Sequence, residues 1–300
     1  KFIDKWIPSG FLKTYLNKIF SIQKTRQSIK KFNPEILYAR QNIWYPGLVK
    51  VLSEHNTVLE LNTVDFMEVK FYPFLKRLVY LFGKKKILNA AKGLIAVTPD
   101  ILNHYNHNAK MTTVVSNGIK LSNFTNKKTP NHSKKVSLVF VGSNNMKWHG
   151  LNKIFELAQN FPEWKFDIVG YNGMDTENLT FYGWVDKEKL EEIYLKSHFG
   201  IGSFDNHLVG KSIDSTLKVR EYLAYGLPVI LGHRDVDLEN ASFVFKATDD
   251  RGVLKDKNLI MDFVNNFKDC IVSHDELKVI DSSTKEKERL SFFKKVLSNI

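Results

Sequence analysis

The sequence predicts an α/β chain built from two doubly wound halves, each a parallel sheet with helices on both faces. Two observations carry that expectation. Short apolar runs of strand length alternate with stretches of helical periodicity through most of the 300 residues. A polar stretch at 123–135, holding Pro130 and two Lys pairs, interrupts the alternation just before its strongest buried run, Leu138-Val-Phe-Val141. The length suits two ordinary domains, and the boundaries expected are 1–130, 131–283 and a terminal helix over 284–300.

The elements follow in order. Apolar positions at 12, 15, 16, 19, 20 and 22 predict a helix from Phe11 to Lys31, which Pro34 ends before the strand 35–39. A helix near Pro46–Glu54 precedes the strand Thr57–Leu61, and a long helix from Phe74 to Ala91 precedes Leu94–Val97. A helix from Pro99 leads to Thr113–Val115. The second half repeats the pattern with strands at 138–141, 165–169, 179–181 and 199–201 and helices at 151–160 and 187–196. Helices between buried strands require parallel pairing. Ligands bind such sheets at the carboxyl ends of the strands, here marked by Gly142, Gly170, Gly183 and Gly202, and a cleft faced by the two halves is the expected site.

Composition excludes several classes. A chain 43% hydrophobic and 25% charged is in the globular range, and it contains no apolar run long enough for a transmembrane helix. The single Cys270 allows no intrachain disulfide and suits a reducing compartment, so a cytoplasmic location is expected. The nine His residues lack ligand spacing, and no metal is expected. The net charge of +12 is uneven: residues 1–130 carry 21 Lys/Arg against 7 Asp/Glu, the remainder 23 against 25. The basic half includes Lys76-Arg77 and Lys84-Lys85-Lys86 on the same aromatic-rich helix, which suits peripheral contact with an anionic membrane face or a phosphate-bearing substrate. A helix with an apolar core face and a solvated cationic face explains the same pattern. Nucleic acid is not expected, because no recognition motif accompanies the charge.

The segment Asp214–Ile230 holds the densest chemistry. Ser215 and Thr216 are N-cap candidates, and the helix after them offers free N–H groups and a positive dipole end to an anion. Lys218 and Glu221 share one face while Val219 and Leu223 share another that can pack inward. Gly226 and Pro228 stop the helix ahead of the buried strand Val229-Ile-Leu231. An ordinary helix-to-strand connection bearing an exposed ion pair remains the competing explanation.

In order, these pieces resemble family 4 of the GT-B glycosyltransferases. The resemblance rests on Val115-Ser-Asn-Gly-Ile119 with Asn123-Phe124, on Val139-Phe-Val-Gly-Ser143 with Trp148-His-Gly150, on Asp167-Ile-Val-Gly170, on Leu179–Val185, and on Glu221-Tyr-Leu-Ala-Tyr-Gly-Leu-Pro-Val-Ile230. It implies transfer of a hexosyl-type sugar from a nucleoside diphosphate donor to a glycan or lipid-linked acceptor, with retention at the anomeric carbon and without a metal or other cofactor. By position, Lys218 and Glu221 are the catalytic candidates, Lys218 toward the diphosphate and Glu221 toward the ribose. Asp214, Ser215, Thr216 and Leu217 would meet a phosphate or the donor sugar, Gly183, Trp184 and Val185 the base, and Gly142, Ser143 and His149 the diphosphate. The pattern departs in two places where the family commonly has an Arg and a Lys: here they are Ser143 and His149. Ile213 replaces a frequent Glu. The resemblance also implies an opening strand that this chain, reaching its first strand at Glu35, lacks. Acceptor-side candidates, by position at strand ends, are Arg40, Glu60, Asn62 and Asp65. The missing cations leave open an accessory subunit that binds a nucleotide sugar without transferring it, and the same architecture also serves epimerases.

Overall fold

The computed structural model describes residues 10–64, 69–70, 72–105, 110–128, 135–144, 146–247 and 253–299. Two compact units appear, Lys1–Val115 with Glu288–Ile300, and Ser116–Lys287. The change of unit falls ahead of the polar stretch 123–135. Residues before that stretch already belong to the second unit's packing: Ile119 bridges Asp281, and the Lys128 N–H donates to the Tyr225 carbonyl at 2.9 Å.

The first unit runs α1 (Phe11–Phe32), β1 (Leu37–Arg40), α2 (Leu48–Ser53), β2 (Thr57–Leu61), α3 (Phe74–Ala90), β3 (Gly93–Ala96), α4 (Pro99–Asn103) and β4 (Met111–Val114). Its four strands are parallel in the order β1-β2-β3-β4. Strand alternation divides the core. Leu59, Leu61, Leu94 and Ala96 pack with Leu52, Ile87 and Ile101 of the helices; Val58, Ile95 and Val115 pack with Phe292 and Val296 near the chain's end. Asn33 closes α1 in the left-handed region (φ 49°), its N–H reaching the Ile29 carbonyl before Pro34 bars continuation.

Helix α3 departs from the usual amphipathic arrangement. Tyr80, Gly83 and Ile87 face the core, whereas Phe74, Leu75, Leu78, Leu81 and Phe82 are all exposed. These lie at i, i+1, i+4, i+7 and i+8, one outward face, which ends beside the exposed Lys85 and Lys86. The helix therefore has a second apolar face in addition to its core face. Among the described residues no helix is long and apolar enough to cross a membrane.

The second unit contains β5 (Ser137–Val141), α5 (Leu151–Asn160), β6 (Lys165–Val169), β7 (Leu179–Gly183), α6 (Lys187–Lys196), β8 (Phe199–Ile201), β9 (Ile213–Asp214), α7 (Leu217–Ala224), β10 (Val229–Leu231), β11 (Arg234–Asp235), β12 (Val244–Lys246), α8 (Lys257–Phe267) and the start of α9 (Ser282–Ser298). Six strands form one parallel sheet, β12-β10-β8-β5-β6-β7, and β9 pairs with β11 separately. Alternate residues of β5 take opposite faces: Leu138 and Phe140 join a core with α5 and α8, Val139 one with α6 and α7. The chain winds outward from β5 in both directions, so the strand order reverses between β5 and β8, and a crevice opens at their carboxyl ends. The β9–β11 pair, β12 and α8 were not expected from the sequence; two-residue strands carry too little periodicity to be seen there.

Candidate functional site

A cavity of about 310 Å³ opens at that crevice, lined by residues following β5, β8 and β9 and by the start of α7. It brings together seven of the expected donor residues: Gly142, Ser143, His149, Asp214, Thr216, Leu217 and Lys218. Val141, Trp148, Ser203 and Asn206 complete the wall.

Close packing shapes the floor. Gly142 follows β5, and a Cβ there would come within 2.8 Å of the His149, Phe140 and Tyr171 side chains. Gly170 holds φ +84° with its ideal Cβ position 1.9 Å from the Gly142 carbonyl, a place no side chain can occupy. The loop from β5 to α5 is tied to the loop after β8: the Asp205 and Phe204 N–H groups donate to the Trp148 and His149 carbonyls at 3.1 and 3.2 Å. Lys153 of α5 pairs with Asp205 at 2.5 Å beneath them. His149 is therefore fixed, its ring edge-on to Phe140 and its Nδ1 2.7 Å from the Tyr171 hydroxyl. Burial and the nearby Lys218 charge push its pKa down to about 3, so the ring is neutral. In the tautomer whose Nδ1 accepts the phenol proton, Nε2 is an N–H donor.

The start of α7 is the electropositive side. Thr216 is its N-cap residue, yet the hydroxyl makes no cap bond and is buried without a partner. The first intrahelical bonds run from Val219 and Arg220 back to the Thr216 carbonyl, so the Leu217 and Lys218 N–H groups have no partner inside the helix. The Lys218 ammonium is likewise buried without a hydrogen-bond partner and lies 4.1 Å from the centre of the Phe140 ring. Burial, opposed by the Asp214 carboxylate, pushes its pKa down to about 7. Of the described residues lining this cavity, Lys218 is the one lysine or arginine. Unpaired donors gathered at one point, with a cation among them, are an arrangement that can receive an anion.

A buried charge network holds α7 in place. The fully buried Arg220 donates to Asp235 at 2.5 Å, to Asp237 at 2.6 Å and to the Asn117 carbonyl at 3.1 Å. Lys285 also pairs with Asp237, at 2.8 Å.

One expectation, for Ser215, needs correction, and Gly183, Trp184, Val185 and Glu221 lie outside this lining. Ser215 does not offer its amide to a ligand: its N–H is spent on Asp214 Oδ1 at 2.9 Å, its hydroxyl accepts from the Asn117 N–H, and its carbonyl accepts from the Asn117 side chain. Its role is to fix the turn before α7. Gly183 has its backbone engaged by the neighbouring turn, its carbonyl by the Gly170 N–H and its N–H by the Tyr171 carbonyl. Trp184 is 94% exposed, and with Val185 it lies outside the cavity's lining. Glu221, also outside that lining, sits one helical turn from Lys218, half-buried, and accepts from the Tyr194 hydroxyl at 3.2 Å; burial raises its pKa.

The sequence reading missed Ser203, Asn206 and His233. Ser203 follows the strand-end Gly202 and could have been marked on that ground. Asn206 holds Asp214 through its side-chain amide at 3.1 Å. His233 is buried with Nε2 unpartnered and Nδ1 3.2 Å from the Ser203 carbonyl. Of the residues expected to face an acceptor, Arg40 and Asn62 line one cavity in the first unit. Glu60 does not join them: it receives the Tyr38 hydroxyl instead. Asp65 lies outside the described residues.

This arrangement of sheets is similar to that of several solved proteins. Sucrose-phosphate synthase from Thermosynechococcus elongatus superposes with a TM-score of 0.66 over 98% of this chain and 81% of its own, at 13% identity. A glycosyltransferase from Rickettsia africae gives 0.63 over 98% and 84%, at 14% identity. The fold is GT-B. An Anabaena protein, HepE, solved with UDP and glucose, is similar over 91% of this chain and 81% of its own, with a TM-score of 0.60 at 13% identity. No protein-family model matches the chain, and no curated protein sequence does.

Proposed function

We propose that the chain is a glycosyltransferase that takes a sugar from a nucleoside diphosphate donor held in its second unit. The observation that carries this reading is the buried, unpartnered Lys218 ammonium beside the open start of α7. Leaving a cation and a hydroxyl without partners costs several kcal/mol unless a ligand completes them. A diphosphate supplies the required oxygens. In glycosyl transfer the leaving diphosphate gains negative charge as the glycosidic bond breaks, so donors fixed beforehand stabilise the transition state more than the ground state. Lys218 would meet that charge, with the Leu217 and Lys218 N–H groups and His149 Nε2–H beside it. Glu221 would accept hydrogen bonds from the ribose hydroxyls.

The finer assignments belong to the same proposal. The sugar is of hexosyl type and is transferred with retention and without a metal, to a polysaccharide or lipid-linked acceptor on the first unit. The chain works at the cytoplasmic face, docked by α3, whose outward Phe74, Leu75, Leu78, Leu81 and Phe82 enter the interface of an anionic bilayer while Arg77, Lys85 and Lys86 meet its headgroups. Charge complementarity supports a lipid surface over a protein partner, since the half that bears this face is strongly basic.

The decisive experiment incubates the protein with UDP-, GDP- and ADP-sugars, with and without EDTA, and measures release of nucleoside diphosphate. Turnover of one donor is expected, unaffected by EDTA. One feature favours a second reading, a binding subunit without transfer: Ser143 and a neutral His149 stand where the family that the sequence resembles commonly has an Arg and a Lys. Tight donor binding with no turnover, even as hydrolysis, would decide for it.

A further inference from the structure

A second cavity, of about 530 Å³, opens in the first unit between the start of α1, the carboxyl ends of β1 and β2 and the start of α3. Lys18, Arg40 and Lys76 line it, and none of the described lining residues is acidic. Lys18 and Lys76 are half-buried. The Lys18 ammonium donates to Asn42 Oδ1 at 2.6 Å, and that of Lys76 sits 3.4 Å from the centre of the Tyr72 ring. Burial and the charge of Lys76 hold Lys18 below the ordinary lysine range. Like charges partly withdrawn from water repel one another, and an anion between them reverses the sign of that interaction. Asn62, at the end of β2, adds a side-chain oxygen buried without a partner, which calls for a hydroxyl or N–H donor.

We propose that this cavity binds a phosphate ester of the acceptor, with the anion among Lys18, Arg40 and Lys76 and a neighbouring hydroxyl donating to Asn62. This rests on the transferase reading and names the acceptor's chemical class. The phosphate can belong to a soluble sugar or polyol phosphate or to a lipid headgroup. The apolar Phe74 and Leu75 are exposed between the lining residues Pro73 and Lys76, so a headgroup could reach the same cations from a bilayer.

The test uses the whole chain with UDP, GDP or ADP, whichever it binds, at saturation, so that the donor site is filled. Glucose 6-phosphate and glucose are titrated calorimetrically, and flotation is measured on phosphatidylcholine vesicles with and without phosphatidic acid. Three proteins are compared: wild type, Lys18→Ala/Lys76→Ala, and Lys24→Ala/Lys31→Ala, which removes equal charge at exposed positions outside the cavity and off α3. Saturable binding of one phosphate probe is expected, and which probe binds identifies the soluble or lipid source. Affinity should fall at least tenfold, about 1.4 kcal/mol, in the Lys18/Lys76 variant and clearly less in the Lys24/Lys31 variant. Binding of neither probe, equal binding of glucose, or equal losses in the two variants overturns the proposal. UDP, GDP and ADP affinities are read in parallel: a protein that binds one of them but no phosphate probe refutes this inference alone, whereas one that binds none of the three refutes the donor site.

Discussion

Replacing Lys218 with methionine should raise stability while abolishing nucleoside diphosphate binding. The ammonium's pKa lies near 7 in the folded chain, against 10.5 for an ordinary lysine. At 1.36 kcal/mol per pH unit, that difference is a destabilisation of roughly 5 kcal/mol when the group is charged in both states. Local relaxation makes this an upper bound, and about 1–3 kcal/mol is the expected gain from methionine, which keeps most of the stem's volume. The sign follows from linkage. Below pH 7 both folded and unfolded lysine are charged and the full cost is present. Between pH 7 and 10.5 the folded group sheds its proton while the unfolded one keeps it, so wild-type stability rises with pH and the methionine advantage shrinks. Urea unfolding at pH 6 and pH 9 reads both values, and UDP titration reads the function. The dissociation constant should rise at least a hundredfold, about 2.7 kcal/mol. A variant no more stable than wild type at pH 6, an advantage that grows with pH, or undiminished UDP binding would refute the reasoning.

The same lysine should make wild-type UDP binding take up about one proton at pH 8, because the diphosphate favours the charged form; calorimetry in two buffers of different ionisation enthalpy measures this. His149, with its pKa near 3, should show no titration of its ring protons between pH 5 and pH 8 by NMR. Glu221→Ala should lower kcat/KM for the donor at least tenfold, about 1.4 kcal/mol, with little effect on the melting temperature, since the carboxylate's described hydrogen-bond partner is Tyr194. Arg220→Met should cost about 3–5 kcal/mol in urea unfolding, because Asp235 and Asp237 lose a buried partner. Leu78→Ser with Leu81→Ser should weaken flotation on anionic vesicles with little loss of stability, as both side chains are exposed.

Much of the architecture was legible from the chain because burial and periodicity are local properties. Strand Thr57–Leu61 and helix Leu151–Asn160 match their expected bounds, and the core strands of the second unit fall where apolar runs stood. The crevice was also legible, since glycines at strand ends mark where backbone must come close, and Gly142 and Gly170 do so. What could not be read was how each polar group spends its hydrogen bonds. Ser215 and Thr216 are adjacent and equally good caps on paper, yet Asn117, nearly a hundred positions earlier, takes up Ser215 and leaves Thr216 unpartnered. Arg220 and Lys218 lie two positions apart on one helix. One is neutralised in a buried network and the other is left alone beneath an aromatic ring.

The sequence by itself determined the alternation of elements, the sheets they form, and which strand ends carry chemistry-bearing residues, because side-chain period and turn chemistry act over a few neighbours. Only the tertiary structure decided which of those residues share a cavity and which cations remain unpaired. It also turned an apolar face of α3 outward. Pairing and desolvation depend on groups brought together from distant parts of the chain.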